Sequence, residues 1–513
     1  MALSSTSILF RTAQRVSCLF LAACCMLAPA QAQLPSLGDG NDMGTAAERR
    51  LGERIARELY RDPDFIEDAV LEDYVQSIWQ PLIAAAKLRG ELSPELGERF
   101  AWEILMGRDR SINAFALPGG YLGLHLGLMG AVSTRDELAS VLAHELTHVT
   151  QRHIARLMGQ SSRMAPWAIG AMILGALAAS KNPDAANAMI MGGQAAVAQT
   201  QLNFSRDMER EADRIGYGVM TQAGFDPAGF VTMFDKLQQA SKLNDNGAFP
   251  YLRSHPLTTE RIADMQARQA LLERRGAPAQ PDTVHALMAA RARVLSNPGT
   301  DRLRTQVAEA QALPAGSTAA SAPAVWYAGA LAAARLREAP VAQALADRLR
   351  TGVQADAKAL RQAQLLAAEL AWAVQDPGRA QAALAAIPRE QAGRPEALLT
   401  AQIQVRNGQA AEAAQALQAR VALEPRDAVA WQLLSSAYAA QGQTLRAIRA
   451  EAEQQVARLD YTGALDRFKA AQNFARGPQG RGSVDHIEAS IIDTRARQLE
   501  SLVKEQALER DIH

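Results

Sequence analysis

His144 and His148 stand four residues apart, with Glu145 beside the first of them. On a helix four residues turn the chain by about 400°, so the two imidazoles project from one face, one turn apart. Imidazoles so placed can ligate a single Zn2+, and a neighbouring carboxylate can take a proton from a water the metal polarises. Asp136 to Ala143, just upstream, reads as the amphipathic start of a helix with acidic residues in its first turn. The spacing therefore lies on the element its chemistry requires.

A hydrolytic zinc site takes three protein ligands and keeps one position open. The chain has eight histidines, so the search for a third ligand is short. His153 lies nine residues after His144, about 180° round a continuous helix, and is expected to point away from the metal. A metzincin continuation is excluded, because Gln151 and Ile154 stand where it needs Gly and His. The best candidate is Glu209, on a helix predicted around Ser205 to Arg214. Asp213 shares its face one turn on, where it could accept the free N–H of a ligating histidine. Glu211 falls on the other side and reads as solvated. Taken alone, the segment could equally be a charged surface helix with i, i+4 pairs. His255, before Pro256, and Arg261 could steady an oxyanion. His255 could instead fill the open metal position and hold the protein latent, or be an ordinary loop histidine.

Upstream, Asn113 to Gly120 ends on a Gly pair, and Tyr121 to Leu124 reads as a short strand. An edge strand beside a metal can hold an extended peptide by main-chain hydrogen bonds; the alternative is a structural strand with nothing bound. His125 reads as a surface histidine rather than a ligand.

Taken in order, Asn113–Gly120, His144–His148, Glu209–Asp213 and His255-Pro256 with Arg261 resemble the M48 family of zinc metallopeptidases, over residues from about 45 to 272. The resemblance implies a zincin-like, gluzincin-type domain with one Zn2+ per chain. It implies His144, His148 and Glu209 as ligands, Glu145 as general base, and His255 and Arg261 as the transition-state-stabilising pair.

The first 32 residues read as a leader: Arg11 and Arg15, an apolar run from Val16 to Leu27, and an Ala30-Gln31-Ala32 cleavage site. All three cysteines (Cys18, Cys24, Cys25) fall inside it, so the mature chain would have no disulfide framework and no thiol chemistry. Leu21-Ala22-Ala23-Cys24 also resembles a lipoprotein processing box, with lipidation at Cys24 as the lesser alternative to ordinary cleavage. Export to the periplasm is the expectation. The 54 basic and 54 acidic residues cancel, and no basic, aromatic-interleaved patch points to nucleic acid.

Met164 to Ala179 is apolar all round but shorter than the roughly 18–20 residues a bilayer span needs. With the small-residue run Ala185 to Ala198 it reads as a helical hairpin. This hairpin over 164–198 either covers the cleft, makes peripheral contact with a membrane or an unfolded client, or is buried as core.

Beyond a Pro/Gly-rich break the composition turns to Ala, Gln, Leu and Arg. Gly408 and Gly442, Ala397 and Trp431, and Ala413 and Ala447 recur at the 34-residue period of the tetratricopeptide repeat. A generic Ala-rich helical bundle is the alternative. The expected organisation is a signal peptide (1–32), a metallopeptidase domain (45–275), a linker with connecting helices (276–321), about four repeats (322–477) and a C-terminal helix (478–513). The fold class is mostly α, with a short strand near the active site and a helical solenoid after it. An exported M48 peptidase joined to such repeats resembles envelope quality-control members of the family. That implies unfolded or misassembled outer-membrane proteins as substrates, with the repeats docking on the outer-membrane β-barrel assembly machinery. The other reading is a non-proteolytic chaperone or docking scaffold with a structural or self-closed zinc site.

Overall fold

In the computed structural model, residues 43–160, 205–242, 250–271, 282–296, 298–477 and 486–511 are described. The leader with Cys24 and the apolar hairpin over 164–198 lie outside them. Among the described residues no helix is long and apolar enough to cross a membrane.

The N-terminal part runs α1 (Thr45–Arg61), α2 (Ala69–Leu88), α3 (Pro94–Arg99), β1 (Glu103–Gly107), β2 (Ala114–Leu117), β3 (Tyr121–His125), α4 (Leu126–Ala131), α5 (Arg135–Thr150) and α6 (His153–Gln160). After the gap come α7 (Arg206–Gln222), α8 (Ala228–Lys242), α9 (Pro250–Ser254) and α10 (Thr259–Leu271). Helix α2 starts where the Asp68 side chain accepts the Leu71 N–H, and it buries Leu71, Val75, Ile78, Trp79 and Leu82 at helical spacing.

The sheet has the order β1-β3-β2, with β1 parallel and β2 antiparallel to β3. A single turn of 3-10 helix at Pro118–Gly120 links β2 to β3 and sets Leu117 opposite Tyr121. The strand read from Tyr121 onward is therefore the central one, paired on both sides. β1 and β2 are the outer strands, and β2 packs against α5. Alternation alone could not distinguish β3 from these, because β3 is buried at every position.

Thr134 caps α5 by accepting the Glu137 N–H, and Glu137 in turn accepts the Ser133 N–H. From Glu137 to Thr150 every residue of α5 is buried. The amphipathic start expected from the sequence is thus covered on its polar side too: Lys236 of α8 pairs with Glu137 at 2.5 Å. Helix α7 lies close along α5 because Gly216 meets it; a Cβ there would come within 3.1 Å of the Ala143 backbone.

Among the described residues the elements of the C-terminal part are helices: α11 (Thr283–Leu295), α12 (Thr300–Ala312), α13 (Ala322–Arg335), α14 (Ala339–Gly352), α15 (Ala357–Ala373), α16 (Pro377–Ala385), α17 (Arg394–Arg406), α18 (Ala410–Leu423), α19 (Ala428–Ala440), α20 (Thr444–Ala457), α21 (Tyr461–Arg476) and α22 (His486–Asp511). Successive pairs from α13 to α20 turn at Arg337, Gln375, Gly408 and Gly442, each with positive φ. A left-handed residue after a helix C-terminus closes its last carbonyls, and its recurrence near a 34-residue interval is consistent with helix-turn-helix repeats.

One apolar core joins both parts, from Ile66 and Trp79 through Leu142 and Leu287 to Trp326 and Leu366. Helix α11, expected as a connector, lies in this core with Leu287 and Met288 wholly buried. A ladder of arginines seals the contact. Arg291 bridges Asp68 and Glu369, both at 2.7 Å. Arg361 bridges Asp73 at 2.8 Å and Glu396 at 2.7 Å. Arg394 pairs with Glu72 and Asp427, and Arg458 with Glu67. Acidic residues at the start of α2 thus receive cations carried by helices far along the chain.

Candidate metal centre

Helix α5 presents His144 and His148 side by side, with their Nε2 atoms 3.0 Å apart. Helix α7 brings Glu209 across from them: Oε2 lies 3.5 Å from His144 Nε2, and Oε1 lies 3.4 Å from His148 Nε2. His255, just past α9, reaches in with Nδ1 at 3.3 Å from His144 Nε2 and 2.9 Å from Glu209 Oε1. Its ring stacks on Tyr251, with centroids 4.6 Å apart. One potential ligand atom from each of these four buried residues lies within 4.8 Å of the others.

These atoms converge in a way protein groups alone do not satisfy. Imidazole nitrogens and a carboxylate face one another, and Glu145 Oε1 and Oε2 and Glu209 Oε2 are buried with no partner at bonding geometry. In a tetrahedral zinc site with bonds of 2.0–2.1 Å, ligand atoms stand about 3.3 Å apart. The observed separations of 3.0 to 3.5 Å fit that spacing. The donor set of imidazole and carboxylate suits zinc as well. The residues present fit a metal ion.

Behind the ligand atoms lies an ordered set of partners. His144 Nδ1 meets Asp213 Oδ1 at 2.9 Å. Arg261 holds Asp213 with two bonds, Nε to Oδ2 at 2.6 Å and Nη2 to Oδ1 at 2.8 Å. Its Nη1 donates to the Pro256 carbonyl at 2.8 Å and lies 2.7 Å from Glu209 Oε2. In this arrangement Arg261 is engaged with the carboxylates that face the histidines.

The electrostatics follow from burial set against these partners. Burial alone would lower His144, but Asp213 and Glu209 carry it up to about 10. Burial holds His148 well below the usual imidazole value, against the pull of Glu209, while His144 and His255 reinforce the depression. Burial would raise Glu209, yet His255, His144 and His148 hold it well below the usual carboxylate range. The Glu145 carboxyl is pushed up by burial, opposed by His255, His144 and the Ala116 backbone on β2. Glu145 is therefore a buried base beside the edge strand, with its basicity enhanced.

The sequence placed His144, Glu145, His148, Glu209, Asp213, His255 and Arg261 near one centre, and the structure brings all seven together. It differs on three others. His153 does not continue the α5 spiral: the helix ends at Gln151, Arg152 takes φ 52, and the chain turns back. That reversal lays His153 Nδ1 2.9 Å from His148 Nδ1. Glu211, read as solvated, accepts from His153 Nε2 at 3.1 Å and from Arg156 Nη1 at 2.9 Å. His125 is buried, with Nδ1 2.8 Å from Ser111 Oγ. Angles counted round an unbroken helix could not reveal the first two; the cue was Arg152, a charged residue that Glu48 of α1 binds at 2.9 Å to hold the break.

Comparison with known proteins agrees with this centre. Residues 70–269 match the model of Peptidase family M48. The chain is 37% identical over 260 residues to a Vibrio cholerae protein named "Putative beta-barrel assembly-enhancing protease", covering 49% of this chain and 51% of that one. It is 33% identical over 241 residues to the "Beta-barrel assembly-enhancing protease" of Escherichia coli (46% and 47% covered). It is 30% identical over 224 residues to "Mitochondrial metalloendopeptidase OMA1" of Arabidopsis thaliana (43% and 41% covered). The chain thus aligns with about half the length of the curated relatives it matches. The mostly helical fold with its small sheet is the zincin-like class expected from the sequence. A histidine pair on a buried helix, a glutamate from a second helix and the matching family model lead to one statement: residues 70–269 form a peptidase family M48 domain.

Proposed function

We propose that this chain is an exported zinc-dependent endopeptidase that acts on misfolded or misassembled envelope proteins, with outer-membrane β-barrel proteins as its substrate class. The observation that carries the reading is the convergence of His144, His148 and Glu209 beside the buried carboxylate of Glu145. The names of the bacterial relatives support the substrate class. The leader over 1–32 supports the periplasm as the compartment, and the helical C-terminal half supports docking on the β-barrel assembly machinery.

His144, His148 and Glu209 would hold the zinc. When bound, the metal supplies a Lewis acid that polarises a peptide carbonyl and makes water a nucleophile at neutral pH. Glu145 takes the proton from that water and returns it to the leaving amine. Its apolar enclosure raises its basicity for the first transfer. Edge strand β2, whose Ala116 backbone lies beside Glu145, holds an extended substrate by main-chain hydrogen bonds, which suits clients of varied sequence. Asp213, gripped by Arg261, fixes the His144 ring with Nε2 turned to the site. His255 lies 3.5 Å from Glu145 Oε1, within reach of the developing oxyanion once it leaves Glu209.

A second reading rests on that same residue. His255 sits among the candidate ligands, as a fourth donor would in a self-closed site, and this favours a latent enzyme or a non-proteolytic chaperone. Proteolysis of an unfolded outer-membrane barrel protein by zinc-loaded protein separates the readings. The expected result is cleavage that falls by about 10²–10⁴ in Glu145→Gln at unchanged zinc content. No cleavage by the parent protein, but client assembly restored equally by Glu145→Gln, would favour the scaffold.

A further inference from the structure

Where the Nδ1 of His144 meets a carboxylate, the Nδ1 of His148 faces another imidazole. His153 Nδ1 lies 2.9 Å away, the ring centroids are 4.8 Å apart, and the planes are nearly perpendicular at 78°. The far nitrogen, His153 Nε2, lies 3.1 Å from Glu211 Oε2, and Arg156 donates to that same oxygen at 2.9 Å. His148 and His153 are wholly buried, while Glu211 is half-buried at the surface.

Proton positions follow from the bonding. Nε2 of His148 faces His144 and Glu209, so to serve as a metal ligand it must carry the lone pair. The ring proton then sits on Nδ1 and is donated to His153 Nδ1. His153 must accept there, so its own proton sits on Nε2 and is donated to Glu211. The Glu211 carboxylate at the end, an acceptor only, agrees with that order of protons.

We infer that His153 and Glu211 are positioning residues, a histidine–carboxylate relay that fixes the tautomer and ring orientation of His148 as a metal ligand. The inference rests on the metal-centre reading above. The strained turn at Arg152 has a purpose in this light: held by Glu48, it is what brings His153 back against His148. The two histidines of α5 are thus oriented by different means, His144 directly by a carboxylate and His148 through a second imidazole.

The test is metal binding by the full chain. Zinc affinity is measured by chelator competition, and the visible spectrum is recorded after cobalt substitution. His153→Phe fills the space but offers no acceptor; zinc affinity is expected to fall about 10–100-fold and the cobalt bands to shift. His153→Asn keeps an acceptor near the Nδ1 position and is expected to recover most of the affinity. Thermal melting of the metal-free proteins shows that the fold is kept. If His153→Phe does not fold, Glu211→Gln carries the test, with a smaller loss and a shifted spectrum expected. Zinc affinity within about twofold of the parent and an unchanged cobalt spectrum in a folded variant would overturn the inference. His148→Ala is the control. Undiminished zinc binding there would sink the metal-centre reading and this inference with it, whereas loss in His148→Ala with none in His153→Phe would sink this inference alone.

Discussion

At the scale of single residues, a metal entering this site competes with a proton. In the metal-free protein His144 is carried up to about 10 by Asp213 and Glu209 against the effect of burial, so at neutral pH it is charged. Its folded value lies above the usual imidazole value near 6.5. The stability it adds to the metal-free protein is therefore full below about 6.5 and lost as pH rises through about 10. Zinc must displace that proton, so zinc affinity is expected to rise with pH from 6 to 9, measured by chelator competition. Asp213→Asn should flatten the rise by removing the main support of the charged form; a rise unchanged in that variant would contradict the assignment. His144, Glu145 and His148 on α5, and Glu209 and Asp213 on α7, were legible because helix geometry sets their spacing, whereas His255 and Arg261 came from the family resemblance. His153 and Glu211 were not legible, because their role depends on a helix break. No periodicity records a turn that is stabilised by Glu48, a residue about a hundred positions earlier.

At the scale of elements, the site depends on two helices lying closer than side chains would allow. Gly216 gives α7 its contact with the Ala143 backbone, and Glu209 and Asp213 ride on that helix. In an isolated helix Gly216→Ala would be favourable by about 1 kcal/mol. Here the added carbon meets backbone, which cannot swing aside. The expected result is a net loss of about 1–3 kcal/mol in urea unfolding, with weakened zinc binding as α7 moves outward. A stabilised variant with unaltered zinc affinity would show that the contact is slack. Nothing in the residue pattern warns of this closeness. The edge strand was misplaced for a related reason: two short apolar strands look alike until pairing shows that β3 lies between β1 and β2. The helical turns of the C-terminal half were easier to read, since Gly408 and Gly442 mark them openly.

At the scale of the whole molecule, one apolar core runs from the first half into the helices before Ile387, and a row of ion pairs reaches the helices beyond. Arg291 is the member to remove, because it is buried and serves Asp68, Glu369 and the Tyr327 hydroxyl together. Arg291→Ala is expected to cost about 3–5 kcal/mol, because it strands two acidic groups out of water. Arg61→Ala, at the exposed pair with Asp460, should cost less than about 1 kcal/mol. Equal effects of the two in urea melts would show that the ladder is ornamental. The sequence marked a change of composition at the middle of the chain, but arginines scattered through an Ala-rich stretch carry no sign of their partners. The ladder also bears on how the protein is made. Glu67, Asp68, Glu72 and Asp73 are synthesised early, yet their counter-charges lie between 223 and 391 residues further on. A chain delivered N-terminus first carries Asp68 unpaired with Arg291 until more than half of it has emerged, and Glu67 unpaired with Arg458 until later still. Contacts so distant close late and slowly. The first half would therefore gain these ion pairs stepwise, which sets a built-in delay between the arrival of His144, His148 and Glu209 and the completion of the body that supports them.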